Sequence, residues 1–194
     1  MEIPLFVSSG KRAVAILSPY QERLIYEHLN SDYKIRTRFL LHTGMRIAEA
    51  KWVDHHRDCF RKANGIILLP KVEEIGKKQC KITNRAVLLS HAGILAVEDF
   101  FDKNVHFPSY QAMEQALKLA ATEANIDKTY INPKMYRKTL ISLLMACYPE
   151  KEAAIAASCG HTIVTMRGHY LGAGFTKEDK KEIQSLFWDW GDAR

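Results

Sequence analysis

Four cysteines in 194 residues, Cys59, Cys80, Cys147 and Cys159, make no C-x-x-C pair. That leaves neither a zinc ribbon nor a dithiol redox motif, and the thiols read as reduced and mostly buried. No apolar run approaches the roughly 20 residues that a membrane-spanning helix needs. The start, Met1-Glu2-Ile3-Pro4, lacks the basic n-region of a signal peptide. These absences point to a protein of a reducing cytoplasm with no membrane partner. Internal repeats and low-complexity segments are absent too. His55, His56, Asp58 and Cys59 are metal-ligand types, but they are adjacent rather than spaced i, i+3 or i, i+4, and no second cluster answers them. No metal and no cofactor are assigned.

What is present is enough for one core. With 47% hydrophobic residues the chain can bury one sizeable interior, and it is too short for two well-stabilised enzyme domains. The net charge of +6, from 28 Lys and Arg against 22 Asp and Glu, suits a polyanionic partner. Residues 1–17 read as an irregular tail and 18–194 as the ordered domain, because Ser18-Pro19-Tyr20-Gln21 offers an N-cap, a proline at the first helical position and a capping-box glutamine. A helix around Tyr33 to His42 ends at Gly44, and helical periodicity restarts over Arg46 to Trp52. The runs 66–69 and 86–89 flank a polar stretch with Gly76, Lys71, Lys77, Lys78 and Lys81, which predicts a β-hairpin with a basic tip. Further helices are expected at about 91–102, 109–124, 134–147, 150–158 and 177–190.

Polar residues scattered over this frame share one chemistry. Arg46 stands in Thr43-Gly44-Met45-Arg46-Ile47-Ala48-Glu49 and Arg137 in Lys134-Met135-Tyr136-Arg137; His161 follows Cys159-Gly160, and Tyr170 comes nine residues later. A phosphodiester resists attack because its oxygens are negative and its leaving alkoxide is poor, so an enzyme without metal must supply fixed cations and a proton donor. An arginine fork binds two non-bridging oxygens at once and stays charged. A tyrosine phenol, with a pKa of about 10, becomes a nucleophile beside such cations. Glu49, one turn beyond Arg46 on the same helical face, orients the arginine. Tyr136 and Tyr148 are alternatives to Tyr170 by type, but they read as packing residues.

In order and spacing, these motifs from Ser18 to Tyr170 resemble the catalytic domain of the tyrosine recombinase/integrase family. The first box is similar to T-G-x-R-x-x-E, the third to the G-H element, and the separations 170 − 161 = 9 and 161 − 137 = 24 are like the family's. The second box departs from the usual H-x-x-R, with Lys134 where histidine stands. The resemblance implies a mainly α-helical fold with a small antiparallel β-sheet (α+β). It implies an enzyme that cleaves and rejoins double-stranded DNA through a 3'-phosphotyrosyl bond, as in site-specific recombination or viral genome integration, without a cofactor. Catalytic roles fall on Arg46, Arg137, His161 and the nucleophile Tyr170. Lys134 would contact the phosphate or relay a proton. A hairpin lysine would protonate the leaving 5'-oxygen, Lys71 by position, with Lys77 and Lys78 as alternatives; Lys77, Lys78 and Lys81 would also touch the DNA backbone. The stripe of Ile183, Leu186, Phe187 and Trp190 would dock on a neighbouring protomer in a tetramer assembled on DNA. Members carry a separate clamping domain ahead of this one, so the chain is either a fragment or a single-domain member. The rival readings are a type IB topoisomerase and a catalytically inactive DNA-binding relative.

Overall fold

Ser18 starts the first helix as its residue type dictates. Its hydroxyl accepts from the Gln21 backbone N–H at 3.2 Å, while Gln21 Oε1 accepts from the Ser18 N–H at 3.3 Å. The computed structural model describes residues 4, 6–7, 13–70, 84–170 and 174–192, with the backbone alone at 6–7, 165 and 168–170. Before this helix, β1 (Phe6–Val7) pairs antiparallel with β2 (Ala15–Ile16). Then come α1 (Pro19–Glu27), α2 (Ser31–Thr43) and α3 (Ile47–His55). A three-stranded antiparallel sheet follows, in the order β3 (Phe60–Arg61), β4 (Ile66–Leu69), β5 (Arg85–Leu88). The rest is helical: α4 (His91–Asp102), α5 (Tyr110–Glu123), α6 (Lys134–Cys147), α7 (Glu152–Cys159), α8 (Ile163–Tyr170) and α9 (Lys177–Phe187). None of the described helices is long and apolar enough to cross a membrane.

The fold is mainly α with a small antiparallel sheet, as expected, and α6 is its axis. That helix is buried almost all round, from Met135 to Met145, the pattern of a helix inside a bundle rather than on its surface. Its first turns join the apolar cluster of α1 to α5, centred on Phe39, Phe100 and Phe107; its later turns join a second cluster with α7, α8 and α9. In the sheet Ile66 pairs with Leu88 and Leu69 with Arg85, so Ile67 and Val87 lie opposite each other and buried while Leu68 faces out. The expected hairpin is therefore present in its strands. Its basic tip, with Lys71, Lys77, Lys78 and Lys81, lies outside the described residues.

Three expectations change. The tail does not extend to residue 17: Val14 to Leu17 are buried, and the Leu17 N–H donates to Thr139 Oγ1 of α6 at 3.1 Å. Four apolar residues are too few to show a period, so their place depended on a helix more than a hundred positions away. The structure adds a helix, α8, to the expected elements. The third change concerns α9, whose stripe was expected to reach a neighbouring protomer: Ile183, Phe187 and Trp190 are buried in the domain's own second cluster, and Leu186 is exposed. Further bonds hold this end in place. Asp189 accepts from the His91 N–H at 3.0 and 3.1 Å, Lys151 Nζ donates to Trp190 O at 2.7 Å, and Arg23 pairs with Glu182 at 2.7 Å.

Candidate functional site

The turn between α2 and α3 is built by local chemistry. Thr43 Oγ1 donates to Phe39 O at 2.7 Å, and the left-handed Gly44 (φ 60°) closes the helix. A Cβ on Gly44 would stand 2.9 Å from Leu140 Cδ2, so both its dihedral and its contact with α6 exclude a side chain. The turn leaves Arg46 at the N-cap of α3, where Glu49 accepts from the Arg46 N–H at 2.8 Å and from its Nη1 at 3.0 Å. Glu49 thus ties down both the backbone and the side chain of Arg46.

Arg137 enters from α6, buried at 6% exposure. Nη1 donates to Gly44 O at 2.9 Å, Nη2 to Cys159 O, and Nε to His161 Nε2 at 3.4 Å. Burial presses its pKa down, countered by the Glu49 carboxylate, and an arginine so placed keeps its charge. His161 is set by the end of α7: Gly160 takes the left-handed conformation (φ 61°, ψ 48°), and the His161 N–H donates back to Ala156 O at 2.9 Å. The Gly-His pair is thus a helix stop that delivers an imidazole to Arg137.

Sequence reasoning missed Arg85. It donates from Nη1 and Nη2 to the two Glu49 oxygens at 3.0 and 3.1 Å, and from Nε to Ser158 O at 2.9 Å. A signal existed, because Arg85 lies two residues before the buried Val87 and so on the inward face of a strand, where a charge needs a partner. Glu49 is 3% exposed. Burial alone would push its carboxyl up, but the Arg85 hydrogen bonds and the charges of Arg85, Arg137 and Arg46 outweigh this and hold it at about 2.

These elements frame a cleft of about 490 Å³ lined by Arg46, Lys134, Arg137 and His161, with Lys51 and Lys138 beside them and Met45, Ile47, Tyr110 and Pro133 as an apolar wall. Four of the expected residues, from three separate segments, therefore meet at one place. Lys134 is exposed at the first position of α6, and Lys138, not marked in the sequence, follows one turn later. The N-termini of α3 and α6 both reach the cleft, which adds partial positive charge favourable to a phosphate. Tyr136 is in the core with its hydroxyl pKa driven up by burial, and Tyr148 packs in the second cluster; neither lines the cleft. Tyr170 ends α8, and its side chain lies outside the described residues, as do Lys71, Lys77, Lys78 and Lys81. No group of three or more His, Cys, Asp or Glu that could hold a metal ion occurs among the described residues.

No protein-family model and no curated protein sequence matches the chain. Solved structures do. XerA recombinase superposes with a TM-score of 0.60 over 91% of this chain and 64% of its own, at 15% identity. The Tn1549 transposon integrase in complex with transposon right end DNA gives 0.64 over 88% and 65% at 14% identity, and its complex with a circular intermediate DNA gives 0.62 at 16%. The protein has the fold of a tyrosine recombinase catalytic domain. The chain spans about 65% of the length of these recombinase and integrase structures. At such identities the likeness carries the fold alone.

Proposed function

We propose that the chain is the catalytic part of a DNA recombinase or integrase that cuts and rejoins strands by transesterification at phosphorus. The observation that carries this reading is the convergence of Arg46, Lys134, Arg137 and His161 on one cleft from segments up to 115 residues apart (161 − 46). The Tyr170 phenolate attacks the phosphorus, forming the phosphotyrosine as the bond to the 5'-oxygen breaks, and Lys71 supplies that oxygen's proton. A 5'-hydroxyl from the partner strand then attacks the phosphotyrosine, and the phenol leaves. One phosphoester bond is exchanged for another each time, so no external energy source is needed. Arg46 and Arg137 hold the non-bridging oxygens and neutralise their growing charge. Lys77, Lys78 and Lys81 contact the DNA backbone, and copies of the protein assemble as a tetramer on double-stranded DNA.

One observation favours the rival reading of a DNA-binding relative without catalysis: each guanidinium nitrogen of Arg137 already has a protein partner. Each Nη nevertheless keeps a second N–H, so a bidentate contact stays open. Incubation with a nicked suicide duplex, followed by denaturing electrophoresis and peptide mapping, separates the two. The expected result is a covalent adduct at Tyr170 that Tyr170→Phe abolishes while DNA affinity stays within about threefold. Attachment at another residue refutes the nucleophile, and no adduct with intact DNA binding supports the rival.

A further inference from the structure

We infer that Arg85 is a positioning residue of the cleft, locking the Glu49 carboxylate in the one orientation that aims Arg46 at the phosphate; this rests on the cleavage function proposed above. A carboxylate offers about four acceptor directions. Glu49 Oε1 accepts from Arg46 Nη1 and Arg85 Nη1, and Oε2 from the Arg46 N–H and Arg85 Nη2, so all four are taken. Arg85 holds the inner side, its side chain 7% exposed, while Arg46 at 31% faces the cleft. Without Arg85 two directions fall empty, and the carboxylate is free to turn away from Arg46.

Arg85 also sets the spacing of the elements that carry the site. Its Nε donates to Ser158 O, and Ser158 Oγ accepts from the Leu88 N–H at 2.9 Å, which stitches β5 to the last turn of α7 just before Gly160-His161. One guanidinium therefore joins the helix of Arg46, the strand leaving the hairpin and the helix end bearing His161. The other groups facing Glu49 are Arg46, Arg137 at 3.7 Å and, through Arg137, the buried Cys159 thiol, whose pKa burial pushes up and which stays neutral. No second carboxylate is among them, so the ionisation of Glu49 depends on the arginines and most of all on Arg85.

The test uses the parent, Arg85→Gln and Arg85→Lys, with three readouts: single-turnover suicide-substrate cleavage from pH 5 to pH 8, DNA affinity, and carboxyl-carbon NMR titration of Glu49. Arg85→Gln is expected to slow cleavage at least about tenfold with affinity within about threefold, and to add an acid limb that the parent lacks. Its Glu49 titration should move up from about 2. Arg85→Lys, which keeps the charge but loses the fork, should recover part of the rate. Parent-like cleavage and titration in Arg85→Gln overturn the inference. So does an equal loss of folding, affinity and rate with the Glu49 titration unmoved, the mark of a scaffold residue. If Arg85→Gln does not fold, the same two criteria apply to Arg85→Lys. If the parent forms no adduct, the cleavage proposal falls, and the NMR titration still upholds or refutes the link from Arg85 to Glu49.

Discussion

Glu49 and Glu22 both stand near the start of a helix with arginines close by, yet their carboxyls move in opposite directions. Glu49 is held at about 2, whereas burial pushes Glu22 up to about 7 despite Arg23 and Arg38. What differs is the use of the neighbours. Glu49 receives four hydrogen bonds from two arginines, while Glu22 Oε1 is sealed from solvent without a partner and Arg23 turns to Glu182 on α9. A nearby positive charge does not offset desolvation unless its N–H groups are delivered to the oxygen. The seam under α9 repeats the lesson in His42, whose Nδ1 has no partner and whose pKa burial lowers to about 4. The cleft spends its charges in pairs, and the seam leaves its polar groups uncompensated.

The largest effect should come from breaking the paired side. Glu49→Gln leaves Arg46, Arg85 and Arg137 without their shared counter-charge and should cost about 3–5 kcal/mol in denaturant unfolding at pH 7. Because the folded pKa of Glu49 lies below the ordinary value, its contribution is present above pH 4.5 and lost as pH falls toward about 2. A loss under about 1 kcal/mol would show that the arginines are stable without it.

On the unpaired side the sign reverses. The folded pKa of Glu22 is raised, so the unfolded chain ionises first, and the fold loses stability as pH climbs from 4.5 to about 7. Glu22→Gln should therefore raise stability by up to about 3 kcal/mol above pH 7 and change little at pH 4. Destabilisation by Glu22→Gln at pH 8 would mean that the ionised carboxylate is welcome under α9, and the contrast with Glu49 would fail.

The smallest effect sharpens the comparison. The Arg23–Glu182 pair is exposed, so Arg23→Ala should cost under about 1 kcal/mol although it ties α1 to α9. The same change removes a charge that lowers the Glu22 pKa, so the loss of stability, which still begins at pH 4.5, should continue to a higher pH and grow larger. An unmoved upper limit would place the cause of the Glu22 shift in burial alone.

Much of this was legible in the chain, and the legible parts are local. Ser18 with Gln21 and Gly44 before Arg46 state helix starts and stops within three or four residues, and the structure has each cap. The pairing of Arg46 with Glu49 is one helical turn and was equally readable. The meeting of Lys134, Arg137 and His161 was readable through motif spacing, although no local rule requires it. Arg85 was not found because its partner is 36 positions away, and a strand of four residues gives a weak period.

By themselves, the residues determined the capped helix starts and stops, the hairpin strands and the kinds of charge available to a phosphate, since each depends on backbone conformation and side-chain chemistry over a few positions. Tertiary structure decided which buried charge found a partner. It gave Glu49 two arginine forks and left Glu22 with none, set Val14 to Leu17 against α6, and laid α9 on its own domain. Such choices turn on how far a side chain stands from groups that folding brings near, and desolvation makes every ångström of that distance count.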